Sequence, residues 1–505
     1  MKRALFSLNN LEKADRFARV LTKLGWEIIA SQETCRLLKK KGLPVTDVAD
    51  FTAVKEDYGF PPTLHPKIEK HLTSSKGPRI DLVYVLPYPL SAGNDIGGRT
   101  LLALAAKGRR IPVMSVWDME IVTSHLENKK NIPGGLCDSL INKANAMIAS
   151  HYDDLVRDRT SQDLLAGRFE YDLLNGENPY QIPAQLFSIK ERDPLAICNF
   201  KRVSGEPPCF TTLADADSIL QTISLAAGAF KTRYHKTPYI SVAAKHGNPC
   251  GMSVSWKEPF EAIHKALFGN PRSIWGGEVI VNFPIDDLLA RALYKSKERE
   301  MLFEEGSWML DLILAPRFSP GAVRILGRRG NRKLLENKAL THPFLPQSPF
   351  AYRFVRGGFL RQPPHNYLLN IKKAHLTGRA LDKQLIDSLI IAWSAAWSSN
   401  HGGNEVALAR DRQLIGVGGA PSTVEAAQIA LQRARDHGHD CQGSVFAANA
   451  FFPFTDAPLA LAESGVTAGV VPSGGKRENL VKDLFRKKGL TIAYLDERFR
   501  GFSRH

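Results

Sequence analysis

The chain has 505 residues, 44% of them hydrophobic and 23% charged, the balance of a soluble globular protein large enough to bury two or more cores. Lys and Arg number 67 against 51 Asp and Glu, a formal net charge of +16. The excess is dispersed, with Gly327–Lys333 among the denser clusters, and it biases the surface toward anionic ligands without naming one.

The six cysteines (Cys35, Cys137, Cys198, Cys209, Cys250, Cys441) form no CxxC and no zinc spacing with histidine, so reduced thiols and no metal are expected. The N-terminal apolar run is too short for a signal peptide, and no stretch reaches the length of a membrane span. A soluble, cytoplasmic protein that does not engage a membrane is expected. Nucleic acid is a poor fit to so dispersed a charge.

From the start to about Trp117 strand-like and helix-like runs alternate. Ala4–Leu8, Trp26–Ser31, Asp81–Tyr88 and Ile111–Trp117 read as buried strands, and Gly97–Lys107 as a helix entered from a glycine turn. The alternation predicts an α/β unit with an open, mostly parallel sheet. Such sheets bind ligands at the carboxyl ends of their strands, here Ser7–Asn10, Ser31–Thr34, Pro87–Pro89 and Asp95–Gly98. Beyond Trp117 the pattern turns helical and polar, through Leu140–Ser150, with a boundary expected near Gly167–Leu174.

In the remaining two thirds, Ala214-Asp215-Ala216-Asp217 opens a helix. At Tyr239–Gly251 a short β-branched run leads into Lys245-His246 and a Gly/Pro turn, where the strand should stop. A cation beside a near-neutral base at a strand end suits proton transfer with charge stabilisation. A surface dipeptide before a turn explains the pair equally well when it is read alone. Phe260–Phe268 reads as a helix, and Val406–Ile415 as a hairpin turning through Arg410-Asp411. Gly416–Gly419 and Gly474-Gly475 lack the full dinucleotide-binding spacing. His437-Gly438-His439 reads as a solvated helix end rather than a metal site. Phe451, Phe452 and Phe454 lie in AFFPFTD, where flat apolar rings can stack on a heteroaromatic ligand or simply fill a core.

The ordered set ALFSL, IIAS, GLPVTDVADFT, TLHPKI, LPYPL, DIGG and LLALAAK resembles the cyclohydrolase half of the AICAR formyltransferase/IMP cyclohydrolase family. NGENPYQ, KHGNPCG, SIWGGEVI, GGFLRQ, Ser399-Asn400, GVGG, AFFPFTD and Pro472–Gly475 resemble its formyltransferase half in the same order. The resemblance implies a methylglyoxal-synthase-like domain over 1–140, a helical connector over 141–170, and a formyltransferase region over 171–505 built of cytidine-deaminase-like α/β subdomains. It implies formyl transfer from 10-formyltetrahydrofolate to the amine of AICAR, with phosphorylated ribonucleotide and folate as small-molecule partners and a homodimer whose sites draw on both chains. Carried over, Lys245, His246 and Asn400 are catalytic. Gly277, Asp311, Phe451 and Arg498 bind substrate, and Phe452, Asp456 and Ser473 bind folate. In the cyclohydrolase half the matching residues are Tyr88, Asp95 and Lys107.

Departures from the pattern remove charge and glycine. Asn9, Asn10 and Leu11 replace a Ser, Asp and Lys, and Ser31-Gln32-Glu33-Thr34 replaces a glycine phosphate loop, with an acid where phosphate would sit. Phe60-Pro61-Pro62 replaces Arg-Val-Lys. Leu174 replaces an arginine that holds phosphate, Tyr180 a histidine and Ser398 a lysine. A weak or inactive cyclohydrolase half is therefore expected. Two other readings stay open: a paralogous formyltransferase or ring-forming enzyme acting on a different substrate, and a non-catalytic binding protein on the same scaffold.

Overall fold

A computed structural model describes residues 1–54, 62–129, 131–159, 165, 167–189, 193–348 and 350–502. Phe60, Pro61 and the closing Arg504-His505 lie outside the described residues. The chain divides into two compact units, Met1–Arg168 and Phe169–His505.

The first unit is built on five parallel strands, Arg3–Leu8, Glu27–Ala30, Val45–Asp47, Leu82–Leu86 and Ile111–Val113. In space the third strand lies at one edge, followed by the second, first, fourth and fifth. Ala4, Leu5, Phe6, Leu82, Val83 and Tyr84 are fully buried, as expected of parallel strands covered on both faces. The order reverses between Arg3–Leu8 and Leu82–Leu86, so the crevice such sheets offer to ligands falls beside Asn9 and Tyr88. Two details differ from the sequence expectation. Val45–Asp47 is a strand that its short Pro-flanked run did not announce, and Val116-Trp117 begin the helix Val116–Lys129 instead of ending a strand. The polar segment expected as a connector is largely one helix, Gly134–Arg159, packed on the Ile96–Lys107 helix of this unit.

The second unit carries one twelve-stranded mixed sheet, and the sheet is an internal repeat. In each half a long helix, a two-stranded hairpin and a strand antiparallel to the hairpin's first strand are followed by two further parallel strands. The first copy runs Phe210–Tyr234, Tyr239–Lys245, Asn248–Ser255, Gly277–Val281, Leu310–Ala315 and Lys333–Glu336. The second runs Lys383–Ser398, Asn404–Arg410, Gln413–Ala420, Val445–Ala448, Ala468–Pro472 and Thr491–Leu495. The two hairpins meet antiparallel at the centre, with Ser253 opposite Gln413.

Packing explains the local sequence. Every residue from Ile386 to Ser398 is buried, Trp393 and Trp397 included, so this helix carries apolar residues on every side because the core surrounds it. The glycines of GVGG lie mid-strand. A Cβ on Gly416 would sit 2.3 Å from the Ala430 carbonyl oxygen, and one on Gly418 2.2 Å from that of Ala426. These glycines bring the Thr423–Asp436 helix down onto the sheet and form no phosphate loop. The second hairpin turns through Asp411-Arg412, one residue later than expected, with both residues at positive φ (50° and 64°). Among the described residues no helix is long and apolar enough to cross a membrane, and no cluster of His, Cys, Asp or Glu is arranged to hold a metal.

Candidate functional site

Strand register in the second unit sorts the candidate residues onto one edge of the sheet. Glu278 pairs with Ala244 and Gly277 with Leu310, so the Lys245 end of its strand lies beside the starts of the next two strands. Asn404 pairs with Ala420 and Val406 with Ala448, which sets the Asn400 loop beside the exit to Asn449–Phe451. Pro472 pairs with Leu495, so Ser473 and Arg498 follow on the same edge. At about 4.8 Å per strand, Phe451 stands about 19 Å from the Lys245 strand and Arg498 about 29 Å.

The strand does end at Lys245, and the chain returns immediately. His246 and Gly247, at φ 52° and 68°, form a two-residue turn, and Asn248 pairs back with Lys245. Positive φ at both central residues is the turn that matches the twist of paired strands. Pro249 is tolerated because the register shifts between Pro249 and Gly251, a bulge that needs no ladder donor there. The turn holds the His246 side chain in solvent. Beneath it, a Cβ on Gly247 would meet Ser218 Oγ at 2.6 Å and Asp215 Oδ1 at 3.3 Å, so the turn rests on the first turns of the Phe210–Tyr234 helix. That helix starts four residues before the Ala214 expected from sequence.

Lys245 Nζ donates to the Gly276 carbonyl at 2.6 Å. A Cβ on Gly276 would lie 2.8 Å from that ammonium and 3.5 Å from Asp311 Oδ2, so Lys245 and Asp311 converge on a glycine that leaves them room. Gly277 is equally constrained, its Cβ position being 2.3 Å from the Ala244 oxygen. Buried Arg332 steadies the strand bearing Asp311 by donating to the carbonyls of Leu310 (2.9 Å) and Trp308 (2.7 Å). Glu278, which sequence reading passed over inside GGEVI, is 4% exposed behind this group. Burial, with the Asp215 carboxylate beside it, pushes the Glu278 carboxyl up to about 9, against the pull of Lys245. Its Oε2 meets no donor among the described residues. Protonation resolves this, because the acid can then donate to Asp215. An acid in an otherwise apolar strand beginning was the available signal.

Asn248 joins the turn to the end of the second long helix. Its Nδ2 donates to the His246 carbonyl (3.1 Å) and its Oδ1 accepts from Asn400 N (2.8 Å). Ser398, standing where the resemblance has a lysine, is 3% exposed and spends its hydroxyl on Thr222 Oγ1 and the Ser394 carbonyl. Asn449 fastens the next stretch. It accepts from Glu405 N at 2.8 Å and donates to the carbonyls of Gly403 (3.0 Å) and Gly501 (2.7 Å), immediately before Ala450-Phe451.

The AFFPFTD residues divide by exposure. Phe452 is 2% exposed and packs on Phe446 and Phe485, so its assignment to folate binding is corrected: the ring is core and offers a ligand no face. Phe451 stays partly open between Gly475 and the guanidinium of Arg500, and Asp456 is exposed at the start of its helix. Ser473 is half-buried beside Glu478. Arg498 lines a separate cleft of about 530 Å³ with Tyr367, Asn370, Lys373 and Asp496, and the hairpin residues do not line it.

In the first unit, Asp95 caps the Ile96–Lys107 helix by accepting from Gly98 N at 2.8 Å. Lys107 is exposed at the far end of the same helix, about 18 Å away at 1.5 Å per residue, so the structure does not bring this pair together at one ring. At the expected phosphate loop, Thr34 is fully buried, with its hydroxyl bonded to Ser31 Oγ (3.0 Å) and Leu8 N (3.2 Å). Glu33 stands exposed in the first turn of the helix that follows.

The chain is a parallel-sheet domain followed by a duplicated α/β unit with a Lys-His hairpin at one sheet edge. The AICARFT/IMPCHase bienzyme family model matches residues 109–433 and the MGS-like domain model matches residues 13–115. The first covers more than half of the chain, which belongs to that family. The bifunctional purine biosynthesis protein PurH of Neisseria meningitidis serogroup C is 28% identical over 99% of this chain and 99% of that protein. PurH of Acetivibrio thermocellus is 28% identical over 98% of each, and that of Anoxybacillus flavithermus 29% over 94% and 95%. The crystal structure of ForH is 26% identical over 31% of this chain and 97% of that one, at a TM-score of 0.29, and no argument about fold rests on it.

Proposed function

We propose that this protein transfers a formyl group from 10-formyltetrahydrofolate to the amine of AICAR in purine (IMP) biosynthesis, in the cytoplasm. The observation that carries the reading is the edge on which Lys245, His246, Asn400 and Asp311 are held beside one another. Acyl transfer to a poor nucleophile needs a proton acceptor, charge on the tetrahedral oxyanion and fixed reactants. His246 takes the proton. Lys245, tethered at Gly276 and flanked by Asp311, supplies positive charge, and Asn400 orients a partner through its amide. Phe451, Asp456 and Ser473 offer the ring-stacking and polar groups that a pterin requires.

The lateral spread of these groups supports a homodimer in which one chain's hairpin faces its partner's AFFPFTD segment. Mixing inactive Lys245→Ala and Asp456→Ala proteins tests this: shared sites return a measurable part of wild-type turnover, whereas sites within one chain return none.

The cyclohydrolase reading is narrower. Glu33 at the phosphate position and the committed Thr34 hydroxyl support weak or absent ring closure. Purified protein supplied with AICAR and 10-formyltetrahydrofolate is expected to release tetrahydrofolate and accumulate the formylated intermediate without IMP. No turnover, together with no protection by AICAR against thermal unfolding, would sink the formyltransferase reading.

A second reading, formyl transfer to a related acceptor in specialised metabolism, is favoured by one observation. The arginine that the resemblance assigns to the phosphate is here Leu174, apolar and half exposed, so the phosphate of a nucleotide loses an anchor.

A further inference from the structure

His401 and Glu405 lie beside Asn400 and were not singled out by sequence. Glu405 has a side chain only 1% exposed. It accepts from His401 N at 2.6 Å, from Gly402 N at 3.0 Å and from His401 Nδ1 at 3.0 Å. Gly419 makes the space, since a Cβ there would lie 2.4 Å from both carboxylate oxygens. Glu405 already accepts from two backbone amides, so Nδ1 serves as a donor toward it and Nε2 is the ring nitrogen left for a reactant. The imidazole is 22% exposed, open to a reactant yet fixed in tautomer and orientation. A buried acid that orients a histidine in this way is the logic of a general base held by a third group.

The loop that bears the pair is anchored on both sides by asparagines of the candidate site. Asn248 ties Asn400 to the His246 turn, and Asn449 ties Glu405 and Gly403 to the segment entering Phe451. Both histidines therefore belong to one hydrogen-bonded rim. Formyl transfer needs two proton movements. One proton leaves the acceptor amine as its nitrogen bonds to the formyl carbon, and one reaches the folate nitrogen as its bond to that carbon breaks.

We propose that His401, held by Glu405, is a second proton-transfer group of this site, sharing those two movements with His246. The proposal rests on the formyl-transfer reading above. In it one imidazole accepts the amine proton while the other, as imidazolium, donates to the departing nitrogen. The oxygen that gained the carbonyl electron pair in the adduct returns it on collapse, so charge and protons balance over the cycle.

The test uses the full chain with AICAR and 10-formyltetrahydrofolate. His401→Asn places an amide donor near the Nδ1 position, so the bond to Glu405 is kept, but it lacks Nε2. The expected result is a fall in kcat of about 10²-fold or more, with KM and melting temperature unchanged and partial recovery in free imidazole. Glu405→Gln, which lets a side-chain amide donate toward Nδ1 and so favours the other tautomer, should lower kcat with His401 intact. If His401→Asn melts early, His401→Gln, which puts an amide near Nε2, must show the same loss and the same recovery. A His401→Asn enzyme within threefold of wild-type kcat, or one altered only in KM, overturns the role of His401 alone. A wild-type protein that releases no tetrahydrofolate overturns the formyl-transfer reading, and the proposal with it.

Discussion

Glu278→Gln isolates the buried acid behind Lys245. In the folded protein the Glu278 carboxyl is pushed up to about 9 from its ordinary value of 4.5, by burial first and Asp215 next. A group raised in this way contributes stability that is fully present below pH 4.5 and is lost as pH rises toward 9, because the unfolded chain releases its proton first. The slope is about 1.4 kcal/mol per pH unit, so up to about 5 kcal/mol is lost by pH 8. Glutamine has the same shape, stays neutral throughout and can donate its amide to Asp215. The variant should therefore match wild type near pH 4.5 and exceed it by several kcal/mol at pH 8. Urea unfolding followed by tryptophan fluorescence is suited to this, since Trp256, Trp275, Trp308, Trp393 and Trp397 all report on the larger unit. Parallel stability–pH curves for the two proteins would refute the reasoning, because they would mean that Glu278 is ionised in the fold.

Two further substitutions separate chemistry from architecture. His246→Asn puts the residue most favoured before glycine into a turn already at φ 52°, so stability should hold or rise by about 0.5 kcal/mol while formyl transfer falls about 10²-fold or more. Unchanged turnover would place the centre elsewhere. Gly418→Ala should destabilise by about 1–3 kcal/mol, since the new methyl lands 2.2 Å from the Ala426 carbonyl oxygen. Chemical denaturation with no loss would show that the helix is free to lift from the sheet.

What was legible in the sequence follows from what each signal depends on. The buried parallel strands announced themselves because both faces are apolar, and Lys245-His246 did because the turn chemistry of His-Gly-Asn-Pro is local. Val45–Asp47 was hidden because three residues beside a proline carry no period. The helix beginning at Val116 looked like a strand extension because Ile111–Trp117 is apolar throughout. Phe451 and Phe452 are adjacent and alike in sequence, and only the packing of Phe446 and Phe485 makes one of them core. Glu278, His401 and Glu405 were missed for a common reason. Glu278 depends on Asp215, 63 residues away, and the His401–Glu405 pair, though only four residues apart, depends on the room left by Gly419 on the facing strand, and no spacing rule links those positions. The repeat was equally invisible, because its two copies share geometry while one turns through His246-Gly247 and the other through Asp411-Arg412.

Two departures from the resemblance bear on the acceptor. The arginine that the resemblance assigns to phosphate is replaced by Leu174, half exposed and apolar, and a lysine of the same pattern by Ser398, buried and already bonded. A charge-assisted hydrogen bond contributes about 1.5–3 kcal/mol, so losing the arginine's contact removes about that much phosphate recognition, or roughly 10–10²-fold in kcat/KM. The basic surface elsewhere does not replace it, because exposed charges beyond a Debye length are screened. Comparing kcat/KM for AICAR with that for its dephosphorylated nucleoside measures the difference directly. A nucleotide preference below about tenfold would favour the second reading, an acceptor other than a nucleotide. A preference above about 10³-fold would mean that other cations on this edge hold the phosphate, and the purine-pathway acceptor would stand.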